Sequence, residues 1–443
     1  MRHLVCVVIV ALAASEAYAV GKINRYSSLS SDYCRNVNRY ASTGLDAAYY
    51  NPAGLVFGRE GLGLKILNQS TLIYGQFSIT DEDALALGGA DGIAKYNRTE
   101  EAWDMLWASP MAMAVYNTGT WALYAAVGVV GGGGVGLKGD HPILLENSDY
   151  VLENINAKVR EALGQPGDFY SDLDFDKSMF EAATVLGALM LGGAYRVADW
   201  LSVGGHGKYV YGFGSMELRT KFKVFQEQLG WGPALDGTDE IELEGSTEGH
   251  GWAWTVSAHL NPLEELSIAL KYESLTEVEM TTTATVDTAG ILTGEATRSD
   301  IPGQLTLGID YRITPRWSAQ GSFAYFMNEQ AQVGELLGYD PSSELEGGWE
   351  FGVGTEYIIN EDLLVSAGYL YLRPGYRQKT RTASRFINEG HMVGVGGVYR
   401  FSQEVDMILG LLAMIDEPGM NRKNDIELRV DMYVASLGFN FWF

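Results

Sequence analysis

The stretch Gln304-Leu305-Thr306-Leu307-Gly308-Ile309-Asp310-Tyr311-Arg312-Ile313-Thr314-Pro315-Arg316-Trp317 decides how the chain is read. Leu305, Leu307, Ile309 and Tyr311 alternate with Gln304, Thr306, Asp310 and Arg312, which gives an extended segment one apolar and one polar face. Thr314-Pro315-Arg316 then turns the chain, since Pro fixes φ and gives up a donor. The returning segment puts Trp317, Phe323 and Tyr325 on its apolar face.

The same pattern repeats in both directions. Downstream, Leu363, Val365, Ala367, Tyr369 and Tyr371 alternate after a turn at Asn360-Glu361-Asp362, and a further pair turns near Ser402-Gln403-Glu404. The last segment places Tyr433, Ala435, Leu437, Phe439, Phe441 and Phe443 on one face, with Ser436 and Asn440 on the other. Upstream, tight turns fall at Asn261-Pro262-Leu263-Glu264, Ala198-Asp199 and Asn117-Thr118-Gly119, and the first strand begins near Leu62. The opposite ends carry long connections. Residues 102–113 read as part of one, residues 150–163 as a loop helix with Val151, Ile155, Val159 and Leu163 at spacings of four, and residues 214–249 as an acidic loop. Fourteen strands, short turns on one side and long loops on the other predict an all-β fold, a 14-stranded antiparallel transmembrane β-barrel over residues 61–443.

Composition agrees with this reading. Mean hydropathy near zero excludes a polytopic helical membrane protein, whereas a barrel needs only alternate residues to be apolar. A formal charge of -25 excludes a general nucleic-acid binder, which needs a basic face. Residues 1–19 read as a secretory signal: Arg2, an apolar run, and Ala17-Tyr18-Ala19 as the cleavage site. Cys6 lies within that leader, so Cys34 is the one cysteine expected in the mature chain and no intrachain disulfide is possible. His141, His206, His250, His259 and His391 are scattered, and no nucleophile elbow occurs, so no catalytic site, cofactor or metal is expected.

Residues 20–60 show no sustained period and are too short to bury a core of their own. They contain Asp46-Ala47-Ala48-Tyr49-Tyr50-Asn51-Pro52-Ala53-Gly54-Leu55, read as a plug, because fourteen strands enclose more space than their own side chains fill. An exported chain with this motif ahead of a barrel resembles the FadL family of outer-membrane hydrophobic-compound transporters, which includes toluene and xylene uptake relatives. Gly192-Gly193-Ala194-Tyr195-Arg196-Val197 and the segment from Ile301 to Tyr311 read like that family's strand and turn text. The resemblance implies that Asn51, Pro52 and Ala53 belong to a hatch inside the lumen. Upstream, Asp32-Tyr33-Cys34-Arg35-Asn36-Val37-Asn38-Arg39 stands where the family commonly has a Gly-Arg-Ala element.

The family opens its wall sideways at a kink in the third strand. Here the third strand runs at its outer end into Gly131, Gly132, Gly133 and Gly134, and such a tract either makes or borders a lateral opening or begins the outer loop. Leu106, Trp107, Val151, Ile155 and Val159 are candidates for an outer hydrophobic groove, or they hold loop helices together. Phe441 and Phe443 in the last strand resemble the signal read by the barrel assembly machinery. The expected setting is the outer membrane of a diderm bacterium, surrounded by outer-membrane lipid. The expected ligand is a fatty acid, another lipid or an aromatic hydrocarbon, taken up passively. The rival expectations are a general or polar-solute porin and a surface adhesin that uses its acidic loops.

Overall fold

The structure, a computed structural model, describes residues 30–79, 99–138, 172–225, 239–287, 296–332, 345–375, 388–420 and 426–443. The predicted leader, and Val151, Ile155 and Val159 with their predicted helix, lie outside these residues. Among the described residues eighteen extended pieces form one sheet, and they assemble into a closed wall of fourteen antiparallel strands.

In chain order these are β1 (Gly61–Ile79), β2 in two pieces (Thr99–Leu106 and Met111–Asn117), β3 (Trp121–Lys138), β4 (Asp172–Ala198), β5 (Leu201–Phe225) and β6 (Asp239–Leu263). Then follow β7 (Leu266–Glu273 and Glu279–Asp287), β8 (Ala296–Arg298 and Gly303–Thr314), β9 (Trp317–Met327), β10 (Gly348–Ile358) and β11 (Leu363–Arg373). The wall is completed by β12 (Gly390–Arg400), β13 (Val405–Asp416, continued by Gly419–Met420) and β14 (Ile426–Trp442). The barrel closes where β1 pairs with β14 from Gly63↔Trp442 to Ile79↔Ile426.

The alternation read from sequence is the alternation of the wall. Leu305, Leu307, Ile309 and Tyr311 are exposed on the outside, where lipid would cover them, while Thr306 is buried inside. Exposed aromatics and aliphatics recur along the outer rows, including Trp121, Tyr195, Trp200, Trp252, Trp254 and Trp317.

Two stretches read as loops are wall instead. Residues 99–106 extend β2 beyond a break at residues 107–110, so Leu106 ends a strand and Trp107 begins the break rather than lying in a loop helix. Residues 214–225 and 239–249 extend β5 and β6, pairing from Gly214↔Thr247 to Phe222↔Asp239. Met216, Leu218, Phe222 and Val224 alternate with Glu217, Arg219, Lys221 and Lys223, and Ile241 and Leu243 with Glu240, Glu242 and Glu244, so one row of each strand is charged where the strands nearer the turns carry apolar or aromatic residues. The period of two persists, and it is the density of charge that makes these strands read as a loop.

A second interruption lies in β7 and β8, where residues 274–278 and 299–302 leave the ladder. It is bridged by Thr276↔Ile301, and the Asp300 carboxylate accepts from the backbone N–H of Val278 at 3.0 Å and of Gln332 at 2.9 Å.

Residues 30–60 sit within the wall and touch nearly its whole circumference. The helix α1 (Ser31–Arg35) packs on β11 to β14 and β1, and the 3-10 helix Pro52–Phe57 packs on β3 to β6. This close seating needs inward positions without side chains. A Cβ on Gly308 would lie 2.4 Å from Ala41 N, one on Gly204 2.7 Å from Ala53 N, and one on Gly410 2.6 Å from Cys34 Cβ. A Gly308→Val change should therefore push the inner segment off the wall, costing about 1–3 kcal/mol. Gly321→Val, where nothing lies within 4 Å, should be neutral. Melting of the purified variants in detergent measures the difference.

Candidate functional site: the inner segment and the seam beside it

Local chemistry builds the inner segment. The Ser30 hydroxyl accepts from Tyr33 N at 3.0 Å and caps α1, with Asp32 in its first turn and Arg35 in its last, the order the helix dipole favours. After a second short helix, α2 (Ala47–Tyr50), Pro52 starts the 3-10 turn, where its missing N–H costs nothing.

Asn51, Pro52 and Ala53 are fully buried or nearly so, against β5 and β6. The Asn51 amide donates to the Ser42 carbonyl at 3.0 Å and lies 2.8 Å from His259 Nδ1. His259 Nε2 faces Asn261 Oδ1 at 3.0 Å, which already accepts from Ser267. Asn261 Oδ1 can only accept, so His259 carries its proton on Nε2 and receives the Asn51 amide on Nδ1. Ala53 is held by its backbone: its N–H donates to Ser257 Oγ at 2.9 Å and its carbonyl accepts from Ser202 Oγ at 2.6 Å. Further along, Arg196 donates to the Val56 carbonyl and stacks on Phe57, and the Asn117 amide donates to the Leu55 carbonyl.

The opposite side is held by charge. Glu356 on β10 accepts from Arg35 at 2.7 Å and Arg39 at 3.1 Å. Arg39 also pairs with Asp46 at 2.8 Å, and Asp32 pairs with Arg35 at 3.1 Å and with Lys65 of β1. Burial pushes the Asp32 carboxyl up, but Lys65, Arg35 and Arg39 overcome it and hold the group below the usual carboxylate range. Burial raises the Cys34 thiol to about 12, so it stays protonated and unreactive while the segment is seated.

Above these anchors the lumen has two unlike walls. One is apolar: Phe326, Leu370, Leu372, Met392, Leu412, Met414, Met432 and Val434 meet Tyr33, Tyr40 and Tyr50 of the inner segment. Tyr33 and Tyr50 stack at 5.5 Å. The other is polar: Lys208 and Lys271 both pair with Glu273, Lys271 lies 5.3 Å over the Tyr49 ring, and Gln304 donates to Glu273 at 3.0 Å. His206 lines this wall, 2.7 Å from the Tyr124 hydroxyl.

The wall itself has a seam. The inner half of β2 pairs with both β1 and β3, up to Met111↔Gly128. Beyond that level Thr99–Leu106 pairs with β1, and residues 129–138 pair with β4 through a bulge between Val129 and Gly131. Among the described residues, no pairing joins the outer halves of β2 and β3. Gly131, Gly132, Gly133 and Gly134 face this seam as paired strand rather than as the start of a loop, opposite Leu186, Val185, Thr184 and Ala183. Gly132 has φ +135, and a Cβ there would lie 2.5 Å from the Thr184 carbonyl, so only glycine fits. Leu106 and Trp107 lie at the same seam and are exposed. Phe441 pairs with Leu64 and Val405, and Phe443, largely exposed, exchanges backbone hydrogen bonds with Leu62.

The seam is thus bordered on one side by Leu106 and Trp107 and on the other by the glycine tract some 25 residues later. Arg35 and Arg39 stand out in sequence as basic residues of the inner segment. Their partner Glu356, more than three hundred residues away, carries no local signal.

The family model described as "Outer membrane protein transport protein (OMPP1/FadL/TodX)" matches residues 182–440. Among solved structures, a Pseudomonas aeruginosa FadL homologue is similar with a TM-score of 0.58 at 13% identity, covering 92% of this chain and 98% of that one. The Pseudomonas putida toluene transporter TodX gives 0.55 at 14% identity, covering 92% and 98%. The Ralstonia pickettii toluene transporter TbuX gives 0.54 at 14%, covering 90% and 94%. No curated protein sequence matches the chain significantly.

Two outcomes follow from the charged anchor. Glu356→Gln leaves two buried guanidinium groups short of a partner, a loss of about 3–5 kcal/mol, and should accelerate maleimide labelling of Cys34 relative to wild type. Acid should act likewise. A carboxyl lowered in the folded state contributes stability above its ordinary range, and this is lost as pH falls through and below that range. Cys34 protection is therefore expected to hold at neutral pH and weaken at acid pH. In a Lys65→Met, Asp32→Asn variant that step in the pH profile should shrink.

Proposed function

The chain belongs to the outer membrane protein transport family, and on that premise we propose that it takes up a hydrophobic molecule bearing a polar head and releases it sideways into the bilayer. It is an outer-membrane β-barrel of a family of channels for hydrophobic compounds.

The observation that carries lateral release is the unpaired seam between β2 and β3, next to the seated inner segment. An apolar ligand gains about 0.8 kcal/mol for each methylene kept out of water, so passing through the wall beats crossing the periplasmic mouth. The inner segment would act as a floor that turns the ligand aside. Ala47, Ala48, Asn51 and Ala53 there have no accessible surface, which argues against a polar-solute porin with a continuous water path.

The two lumen walls favour an amphiphile of the fatty-acid type over a bare aromatic hydrocarbon. The methionine and leucine wall accommodates a flexible chain, and Lys208 with Lys271 sits opposite, where a head group would be desolvated. TodX and TbuX are described as toluene transporters, so aromatic hydrocarbons are the competing class.

Cross-linking cysteines introduced at Leu106 and Val130 with a bismaleimide, in a Cys34→Ser background, should abolish uptake of a fluorescent fatty acid by cells. The reduced, unlinked protein should transport normally. Uptake that survives cross-linking would mean that the ligand leaves another way. In planar bilayers the wild-type protein should show little ion conductance, in contrast to a porin.

A further inference from the structure

The break in β2 has an outer side, and what lies there is unusual for a surface facing hydrocarbon. The outward row of β1 runs Leu62, Leu64, Ile66, Asn68, Ser70, Leu72. Its inward neighbours Lys65, Leu67 and Gln69 are buried in the lumen. Asn68 and Ser70 are therefore two successive polar side chains midway up a lipid-facing row, opposite Leu437 and Ala435 of β14. Polar residues at such depth are costly unless they satisfy something.

They satisfy the break. Between the pairs Leu67↔Met111 and Thr71↔Leu106, three residues of β1 (68–70) face four of β2 (107–110). The extra residue leaves the Trp107 carbonyl outside the ladder on the lipid side, and Pro110 cannot donate. In hydrocarbon that carbonyl has no water to turn to. Ser70 Oγ donates to it at 2.7 Å and Asn68 Nδ2 reaches it at 3.5 Å. On the inner side the ladder is resumed by Ser109 N–H donating to the Gln69 carbonyl at 3.0 Å.

We infer that Asn68 and Ser70 are positioning residues for lateral exit: by satisfying the Trp107 carbonyl within the bilayer they hold the one-residue bulge in β2, and the bulge keeps the outer half of β2 away from β3. This rests on the lateral-release reading. It adds that the seam is held by a specific pair of lipid-facing donors rather than by glycine content alone.

The test uses the full-length protein with Asn68→Leu and Ser70→Ala combined, and Ser70→Thr as the variant that keeps the hydroxyl. Spin labels at positions 105 and 129 in a Cys34→Ser background read the seam, heat-modifiable gel mobility reads folding, and fluorescent fatty-acid uptake reads transport. The double variant should fold, show a shorter label separation, and transport roughly fivefold to tenfold more slowly, the factor by which one hydrogen bond shifts a two-state equilibrium. Ser70→Thr should behave as wild type. If the double variant does not fold, Ser70→Ala alone, which removes the shorter bond, carries the same comparison. A folded variant with unchanged label separation overturns the inference, even where the bismaleimide cross-link blocks uptake. A narrowed seam with unchanged uptake, together with uptake that survives the cross-link, overturns lateral release itself.

Discussion

A wall of fourteen strands encloses more volume than its inward side chains can occupy, and that constraint governs the rest of this molecule. The chain meets it with its own residues 30–60, pressed so closely to the wall that several inward positions have to be glycine. Filling space is only half of the requirement. A polypeptide inside a barrel brings backbone groups with it, and each buried one needs a partner. Ser202, Ser257, Asn117 and Arg196 supply those partners from the wall, each a polar position set where a backbone group of the segment needs it.

The two attachments differ in kind. On the β5 and β6 side the segment is held by neutral hydrogen bonds whose geometry is fixed by a single tautomer of His259. On the β1 and β10 side it is held by a chain of alternating charges from Lys65 through Asp32, Arg35, Glu356 and Arg39 to Asp46. Neutral bonds respond little to salt or pH, whereas a charged chain depends on every member keeping its charge. One side therefore resembles a hinge and the other a clasp.

How much of this was legible in the sequence depends on the range of the physics. Alternation is local, so Leu305 to Tyr311 and Tyr433 to Phe443 announce their strands, and the tight turns fall where Pro315, Asn360 and Asn117 place them. Alternation alone does not decide: residues 214–225 and 239–249 keep it, yet their density of charge reads as loop although they pair. Asn51-Pro52-Ala53 was visible as a motif, but His259 and Ser257 were not, because a partner across the barrel leaves no trace in its own neighbourhood. Asn68 and Ser70 were visible as letters in the first strand. They take on meaning only against the break in β2, a stretch whose letters read as loop.

The salt bridge between Asp32 and Lys65 has a consequence for how the barrel shuts. Lys65 belongs to the first strand and also donates to Asn440 of the last at 3.1 Å, while a Cβ on Gly438 would lie 2.3 Å from the Ser31 hydroxyl. The joint between β1 and β14 is thus shared by three parties, two wall strands and the segment they enclose. Such linkage is reciprocal. Seating the segment tightens the joint, and closing the joint tightens the segment, by the same amount of free energy. The first and last strands of this chain are therefore a cooperative unit with its interior, and biogenesis of the wall and packing of its contents are one equilibrium.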